Sequence, residues 1–279
     1  MQPEPGDQTL EVTAEMVAAG VRSVGVGPGD LVMFHSSLSS IGHVVGGPNT
    51  VIEGFLQAVA PGGTVAVPSL WWTGKGDLAD WNVDTSPSYP GIITETFRQR
   101  PDSIRSNNPT HSISAIGPRA AELAADHGAW GRRRCLFGDT AFAEASPWQR
   151  FYDWNAAYCF VGVDFTVNTM GHYCEVMMIQ WVLAQAPEEQ RAALEAQVAH
   201  FETFSQWPHV IYPSFSFQKM GERLAELGLV KFGKIGSATI RCIRARTMVD
   251  TILETLRANP DEWFGKPEWL EWMHGIVDA

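Results

Sequence analysis

The strongest constraint in this chain is a pair of short apolar runs, Leu31–Phe34 and Thr64–Val67, with one helical stretch between them. Such runs lack the alternation of a half-exposed strand and are of the type buried on both faces. The intervening helix is expected from about Asn49 to Val59, where Pro61-Gly62-Gly63 stops it. Strand, loop, helix, turn and strand make a βαβ unit, which demands a parallel or mixed sheet with helices packed on it. Tyr158–Val163 reads as another buried strand, and Lys231–Ile243 as a hairpin around Gly233–Gly236. The expected fold is α/β: a mixed central β-sheet flanked by helices on both faces, with a helical elaboration in the second half.

Helices are further expected over residues 9–25, Ile92–Gln99, Pro118–Asp126, from Ser146-Pro147, from Thr169, from Pro187 to about Phe204, and over Arg244–Ala258. No linker, repeat or low-complexity tract interrupts the 279 residues, so a single domain over 1–279 is expected. The net charge of −11 argues against a sequence-blind nucleic-acid binder and an anionic membrane surface, and leaves room for a cationic partner. No run of ~18 apolar residues is present, and the polar opening MQPEPGDQ has no signal-peptide pattern. Cys135, Cys159, Cys174 and Cys242 follow no CxxC or His-paired spacing. They read as reduced, buried thiols of a cytoplasmic protein that needs no metal. The Trp-rich tail (Trp263, Trp269, Trp272) suits either a core cover or an interface, which leaves room for a homodimer.

Three constellations could carry chemistry. His35-Ser36-Ser37-Leu38 follows a strand and precedes a helix, where ligands bind in open α/β sheets and a helix N-terminus favours an anion. The alternative is a Ser-rich turn that caps the helix. Thr110-His111-Ser112 sets a histidine between hydroxyls, a ligand contact or a satisfied structural histidine. In Asn168-Thr169-Met170-Gly171-His172-Tyr173-Cys174-Glu175, Asn168 or Thr169 is a natural N-cap, and His172 and Glu175 share one helix face at i, i+3. The helix dipole disfavours protonated His172 while the carboxylate can fix its tautomer, a combination suited to a general base. A capped helix with an internal hydrogen bond is the bland alternative. A Ser–His–Glu hydrolase lacks a GxSxG elbow, and a zinc site lacks HExxH.

These segments resemble the antibiotic N-acetyltransferases of the aminoglycoside 3-N-acetyltransferase type, outside the GNAT superfamily. The likeness runs in order through VMFHSSLSSIGHVVGGPNTVIEGFL, PGGTVAVPS, SPSYPGIITETFRQRPDSIRSNNPTHSISAIGP, FGDTAFAEASPWQRFY and FVGVDFTVNTMGHYCE, and returns at GKIGSATIR. It implies an enzyme that uses acetyl-CoA to acylate an amine of an aminoglycoside, an antibiotic-resistance activity, on a mixed-sheet α/β fold. By the same resemblance His35, Ser36, Ser37 and Leu38 form a coenzyme A loop, and Thr110, His111 and Ser112 face the same cleft. His172 deprotonates the attacking amine, with Glu175 as the acid that follows it. Glu202 is the best match for a second acid about thirty positions on.

Backbone N–H groups near Ser36–Ser37 are then expected to stabilise the oxyanion. Residues of about 185–225 depart from the family pattern and read as a helical, Trp-bearing insertion on the acceptor side. Asp77, Asp80 and Asp84, beside Trp71, Trp72 and Trp81 and against only Lys75, suit a cationic, hydroxyl-rich substrate or an ordinary solvated loop. Acylation of another small amine, or CoA binding without turnover, are the competing functions.

Overall fold

The structure, a computed structural model, describes residues 4–71, 77–198 and 211–279. The chain enters through β1 (Glu11–Val12) and α1 (Ala14–Ser23), then β2 (Leu31–Ser36), β3 (His43–Val44), α2 (Pro48–Val59) and β4 (Thr64–Pro68). Next come α3 (Ile92–Arg98), β5 (Ile104–Arg105), β6 (Ile113–Ile116), α4 (Ala120–Ala124), α5 (Pro147–Asp153) and β7 (Ala157–Val161). The second half holds α6 (Thr169–Gln185), α7 (Glu188–Glu195), α8 (Phe217–Glu226), β8 (Lys231–Ile235), β9 (Ala238–Arg244), α9 (Ala245–Ala258), α10 (Pro260–Trp263) and α11 (Pro267–Val277).

One sheet runs β5-β6-β4-β2-β7-β9-β8, and a two-stranded pair joins β1 to β3. β4, β2 and β7 are parallel; β6 and β9 flank them antiparallel, with β5 and β8 at the edges. From β2 the chain moves through α2 to β4 on one side, while β7 lies on the other. That reversal at β2 is a topological switch point, whose crevice opens at the carboxyl ends of the strands.

Alternation along β2 feeds two cores. Val32 and Phe34 pack with α1, α2 and α3 on one face, and Leu31 and Met33 with α5, α6 and α9 on the other. α6 is apolar nearly all round and buries Met170, Tyr173, Cys174, Val176, Met178, Ile179, Val182 and Leu183, as befits a helix enclosed by others. Trp263 and Trp269 are buried in that same core, and Trp272 packs against it while its Nε1 donates to Gln197 Oε1 at 3.2 Å. The tail therefore covers the core of this chain.

The expected elements shift in four places. The first helix begins at Ala14 because Thr13 caps it, its Oγ1 accepting from Met16 N–H at 3.4 Å, and because Glu11–Val12 pairs with His43–Val44. The helix expected from Pro118 begins at Ala120. α7 ends at Glu195, and Val198 instead bridges Ile211; the remainder of the helix expected to Phe204 lies outside the described residues. Within the expected helical insertion, residues 211–216 lead into α8 with isolated bridges at Ile211 and Phe215, while Ser216 caps α8 by accepting from Lys219 N–H at 3.2 Å.

Candidate active site

A cleft of about 1240 Å³ sits at the carboxyl ends of β4, β2 and β7. Its walls include His35 and Ser36 at the end of β2 with Ser37 and Leu38 beyond it, Pro68 at the end of β4 with Leu70 beyond it, and Gly162–Asp164 after β7. Gly162 is required there. Its φ is +66°, and a Cβ would stand 2.5 Å from the Ser40 side chain, which lies under the loop after β2. Gly47, the first residue before α2, also lines the cleft and offers α2 no side-chain cap. Pro48 has no N–H, however, and that of Thr50 donates to the Gly47 carbonyl at 3.1 Å, so the start of α2 keeps only part of a helix N-terminus for an anion. Arg241 on β9 adds a cation to the wall, its guanidinium donating to the Val163 carbonyl at 3.0 Å.

His35 is 6% exposed, and burial pulls its pKa down to about 3, so the ring is neutral at physiological pH. Its Nε2 lies 2.8 Å from the Tyr158 hydroxyl, and its ring stacks on Phe160 with centroids 5.5 Å apart. The Tyr158 hydroxyl in turn approaches the Thr169 and Met170 N–H groups at the start of α6. The cleft wall is therefore tied through one tyrosine to the helix that carries His172.

Thr169 lines the cleft, and His172 follows it by three residues on the same helix face. His172 Nδ1 is 2.7 Å from Glu175 Oε2, with 33% of the histidine side chain and 4% of the glutamate exposed. Burial raises the Glu175 pKa, opposed by His172, by the nearby Tyr212 hydroxyl and by the Phe215 backbone. Rings enclose the imidazole: Phe137 at 4.7 Å, Phe217 at 4.9 Å and His111 at 6.0 Å between centroids. Phe217 comes this close because Gly171 has no Cβ, which would lie 2.6 Å from the ring. Tyr212, Phe137 and Phe217 drew no expectation from sequence. For Phe217 a signal existed, namely Ser216 followed by apolar residues at 217, 220 and 224.

The model of the family described as aminoglycoside 3-N-acetyltransferase matches residues 33–257. The chain belongs to this family. Aminoglycoside N(3)-acetyltransferase VII of Streptomyces paromomycinus is 26% identical over 272 residues, covering 86% of this chain and 89% of its own. A solved structure of AAC-IIIb in binary complex with CoASH superposes with a TM-score of 0.70 at 20% identity, covering 92% of this chain and 99% of that one. A mutant of AAC(3)-IVa in complex with apramycin superposes at 0.64 with 25% identity, covering 90% and 94%. The chain is thus an acyltransferase, and acetyl-CoA is the donor of its class.

Within this acetyltransferase the remaining expected residues divide. His35, Ser36, Ser37 and Leu38 border the cleft. Thr110, His111 and Ser112 are buried and do not border it. The Thr110 hydroxyl donates to Asn108 Oδ1 (3.0 Å) and that of Ser112 to the Ser69 carbonyl (2.8 Å). His111 instead backs the His172 ring, and burial pulls its pKa well down. Of the backbone N–H groups expected near Ser36–Ser37 to face an oxyanion, that of Ser37 donates instead to the Val161 carbonyl at 2.9 Å. Asn168 precedes α6 without capping it, because its amide turns to the Met248 sulfur at 3.6 Å.

Asp77, Asp80 and Asp84 are exposed and do not border the cleft. Asp77 caps the short turn Leu78–Asp80 through Ala79 N–H at 2.9 Å. One face of Trp81 already holds the Arg105 guanidinium, 4.4 Å from the ring centroid. Glu202, Trp72 and Lys75 lie outside the described residues. Among the described residues no cluster of three or more His, Cys, Asp or Glu could hold a metal ion, and no helix is long and apolar enough to cross a membrane.

Proposed function

We propose that this chain transfers the acetyl group of acetyl-CoA to the 3-N amine of an aminoglycoside, directly and with His172 as general base. The observation that carries the proposal is the 2.7 Å His172–Glu175 pair, one helical turn from a residue on the wall of the switch-point cleft. With Nδ1 held by Glu175, Nε2 is the nitrogen left to take the proton of the attacking amine. Acetyl-CoA supplies the activated acetyl thioester. The cleft fits it in size and chemistry: hydroxyls of Ser36, Ser37, Thr166 and Thr169, together with Arg241, suit phosphates and a polar arm. The CoASH complex of AAC-IIIb and the apramycin complex of the AAC(3)-IVa mutant support this choice of donor and acceptor. Asp77, Asp80 and Asp84 are assigned to the acceptor side, as carboxylates for a polycation, and Glu202 to the role of a second catalytic acid acting beside His172. Four free, buried cysteines fit a reducing cytoplasm.

Transfer to a different small amine is the second reading, favoured by one observation: Arg105 already covers a face of Trp81 that a cationic acceptor would use. Free-thiol release from acetyl-CoA, measured with and without a panel of aminoglycosides and read by mass spectrometry, decides between them. Release that depends on kanamycin or gentamicin supports the first reading. Release only with other amines supports the second, and CoA binding without release refutes both. His172→Ala should fold normally and lose about 10²-fold or more in kcat; a folded variant with normal turnover removes His172 from the mechanism.

A further inference from the structure

β7 and β9 run antiparallel, and Cys159 stands opposite Cys242 in register. Two hydrogen bonds fix the phase of that ladder: Ala245 N–H to the Ala156 carbonyl at 2.8 Å, and Gly162 N–H to the Thr239 carbonyl at 3.0 Å. Opposed pairs in an antiparallel ladder alternate between hydrogen-bonded and non-hydrogen-bonded. Counted inward from both ends, Cys159 and Cys242 fall on a non-hydrogen-bonded pair. Their Cα atoms are then about 4.5 Å apart with the side chains drawn together, inside the ~4.4–6.8 Å window a disulfide needs. Both side chains project into the core beneath α1 and α2.

The two thiols are reduced and are each other's first polar neighbour. Cys159 is fully buried, while Cys242 is 5% exposed and lies near the cations Arg244 and Lys231. The Cys159 thiol is pushed well up by its hydrogen bond to Cys242 and by burial, while that of Cys242 is pulled down by the same hydrogen bond and by the cations beside it. Cys242, the one of the two with any solvent exposure and the one paired across β8 with Lys231, is the sulfur to react first. Cys135 and Cys174 are buried with raised pKa values, Cys135 at about 12, and the Cys135 thiol donates to the Gly138 carbonyl at 3.0 Å.

We propose that Cys159 and Cys242 form a redox-active dithiol that closes into a cross-strand disulfide when a peroxide oxidises the protein. The Cys242 thiolate attacks the peroxide O–O bond, forming a sulfenic acid and releasing one water. The Cys159 sulfur then attacks that of Cys242, the S–S bond forms, and the sulfenic oxygen leaves as a second water. Two thiols are oxidised by two electrons, and one hydrogen peroxide is reduced to two waters. Because Arg241 of β9 borders the cleft, the cross-link would pin the strand pair beside the donor site.

The full chain, purified reduced, is treated with stoichiometric hydrogen peroxide and then denatured with an alkylating agent. The expected result is the loss of two of its four free thiols, reversed by dithiothreitol, with peptide mapping that joins Cys159 to Cys242. Cys159→Ser should instead accumulate a dimedone-reactive sulfenic acid on Cys242. Retention of all four thiols, loss at Cys135 or Cys174 instead, or a Cys159→Ser protein that gives no adduct, would each overturn the proposal.

Discussion

Replacing Glu175 with glutamine separates what this residue does for chemistry from what it does for the fold. As His172 accepts a proton it becomes cationic, and the carboxylate 2.7 Å from Nδ1 stabilises that charge. With charge centres roughly 4 Å apart and an effective dielectric of about 20, the attraction is about 4 kcal/mol. A third of the imidazole faces solvent, and screening trims this to about 3 kcal/mol, or about 10²-fold in kcat. The amide adds a second penalty. Its NH₂ can donate to Nδ1 and so place the ring proton on Nε2, the wrong nitrogen for a base.

Stability should move the other way. Burial raises the Glu175 pKa, so the folded state binds that proton more tightly than the unfolded chain. The resulting stabilisation is present at low pH and is lost as pH rises through the folded pKa, which leaves a buried charge at neutral pH. The substituted amide never carries that charge. The variant's Tm should equal or exceed that of the parent at pH 7.5, and its advantage should shrink as pH falls toward the carboxyl titration. Steady-state kinetics and thermal melts across pH test both halves. A folded Glu175→Gln enzyme within threefold of parental kcat would refute the coupling, and a marked drop in Tm at pH 7.5 would refute the buried-charge account.

Other expectations concern the acceptor and the ring cage. Asp80→Asn should raise KM for a polyamine acceptor several-fold while sparing kcat; steady-state titration of the acceptor checks this, and an unchanged KM counts against an acidic acceptor loop. Because screening weakens exposed charge attraction, acceptor KM should rise as NaCl goes from low to physiological strength, and a flat response would argue for an uncharged acceptor. Gly171→Ala places a methyl 2.6 Å from the Phe217 ring. It should cost about 1–3 kcal/mol of stability and shift Phe217 off His172; an unperturbed Tm and kcat would show that the ring yields freely.

The features of this molecule that were legible in its sequence are those set by local rules. Leu31–Phe34, Thr64–Val67 and the stop at Pro61 define a βαβ unit by hydrophobic pattern and turn chemistry, and β2, α2 and β4 occupy those positions. His172 and Glu175 could be paired because a helix brings i and i+3 together. What local rules do not carry is the identity of the partner a polar group finds across the fold. Nothing near Ser112 announces that its hydroxyl serves the Ser69 carbonyl, 43 residues earlier. Asn168 has a good capping side chain, yet Met248, eighty residues on, draws its amide away. The cysteines likewise share no sequence motif, and only the β7–β9 register sets two of them face to face.

The same distinction bears on how an acidic chain holds an anionic donor. Glu4 and Asp164 border the cleft as well as Arg241, and His35 is neutral with a pKa of about 3. Net charge is therefore a poor guide to what the cleft attracts. Hydroxyl dipoles can do what charges do not, and hydroxyls of Ser36, Ser37, Thr166 and Thr169 line the cleft at and beyond the ends of β2 and β7. Such dipoles are short-ranged and weakly screened, whereas exposed carboxylates such as Asp80 act at long range and are screened by salt. If both partners bind as proposed, ionic strength should discriminate between them: donor affinity held by hydroxyls, acceptor affinity lent by surface charge.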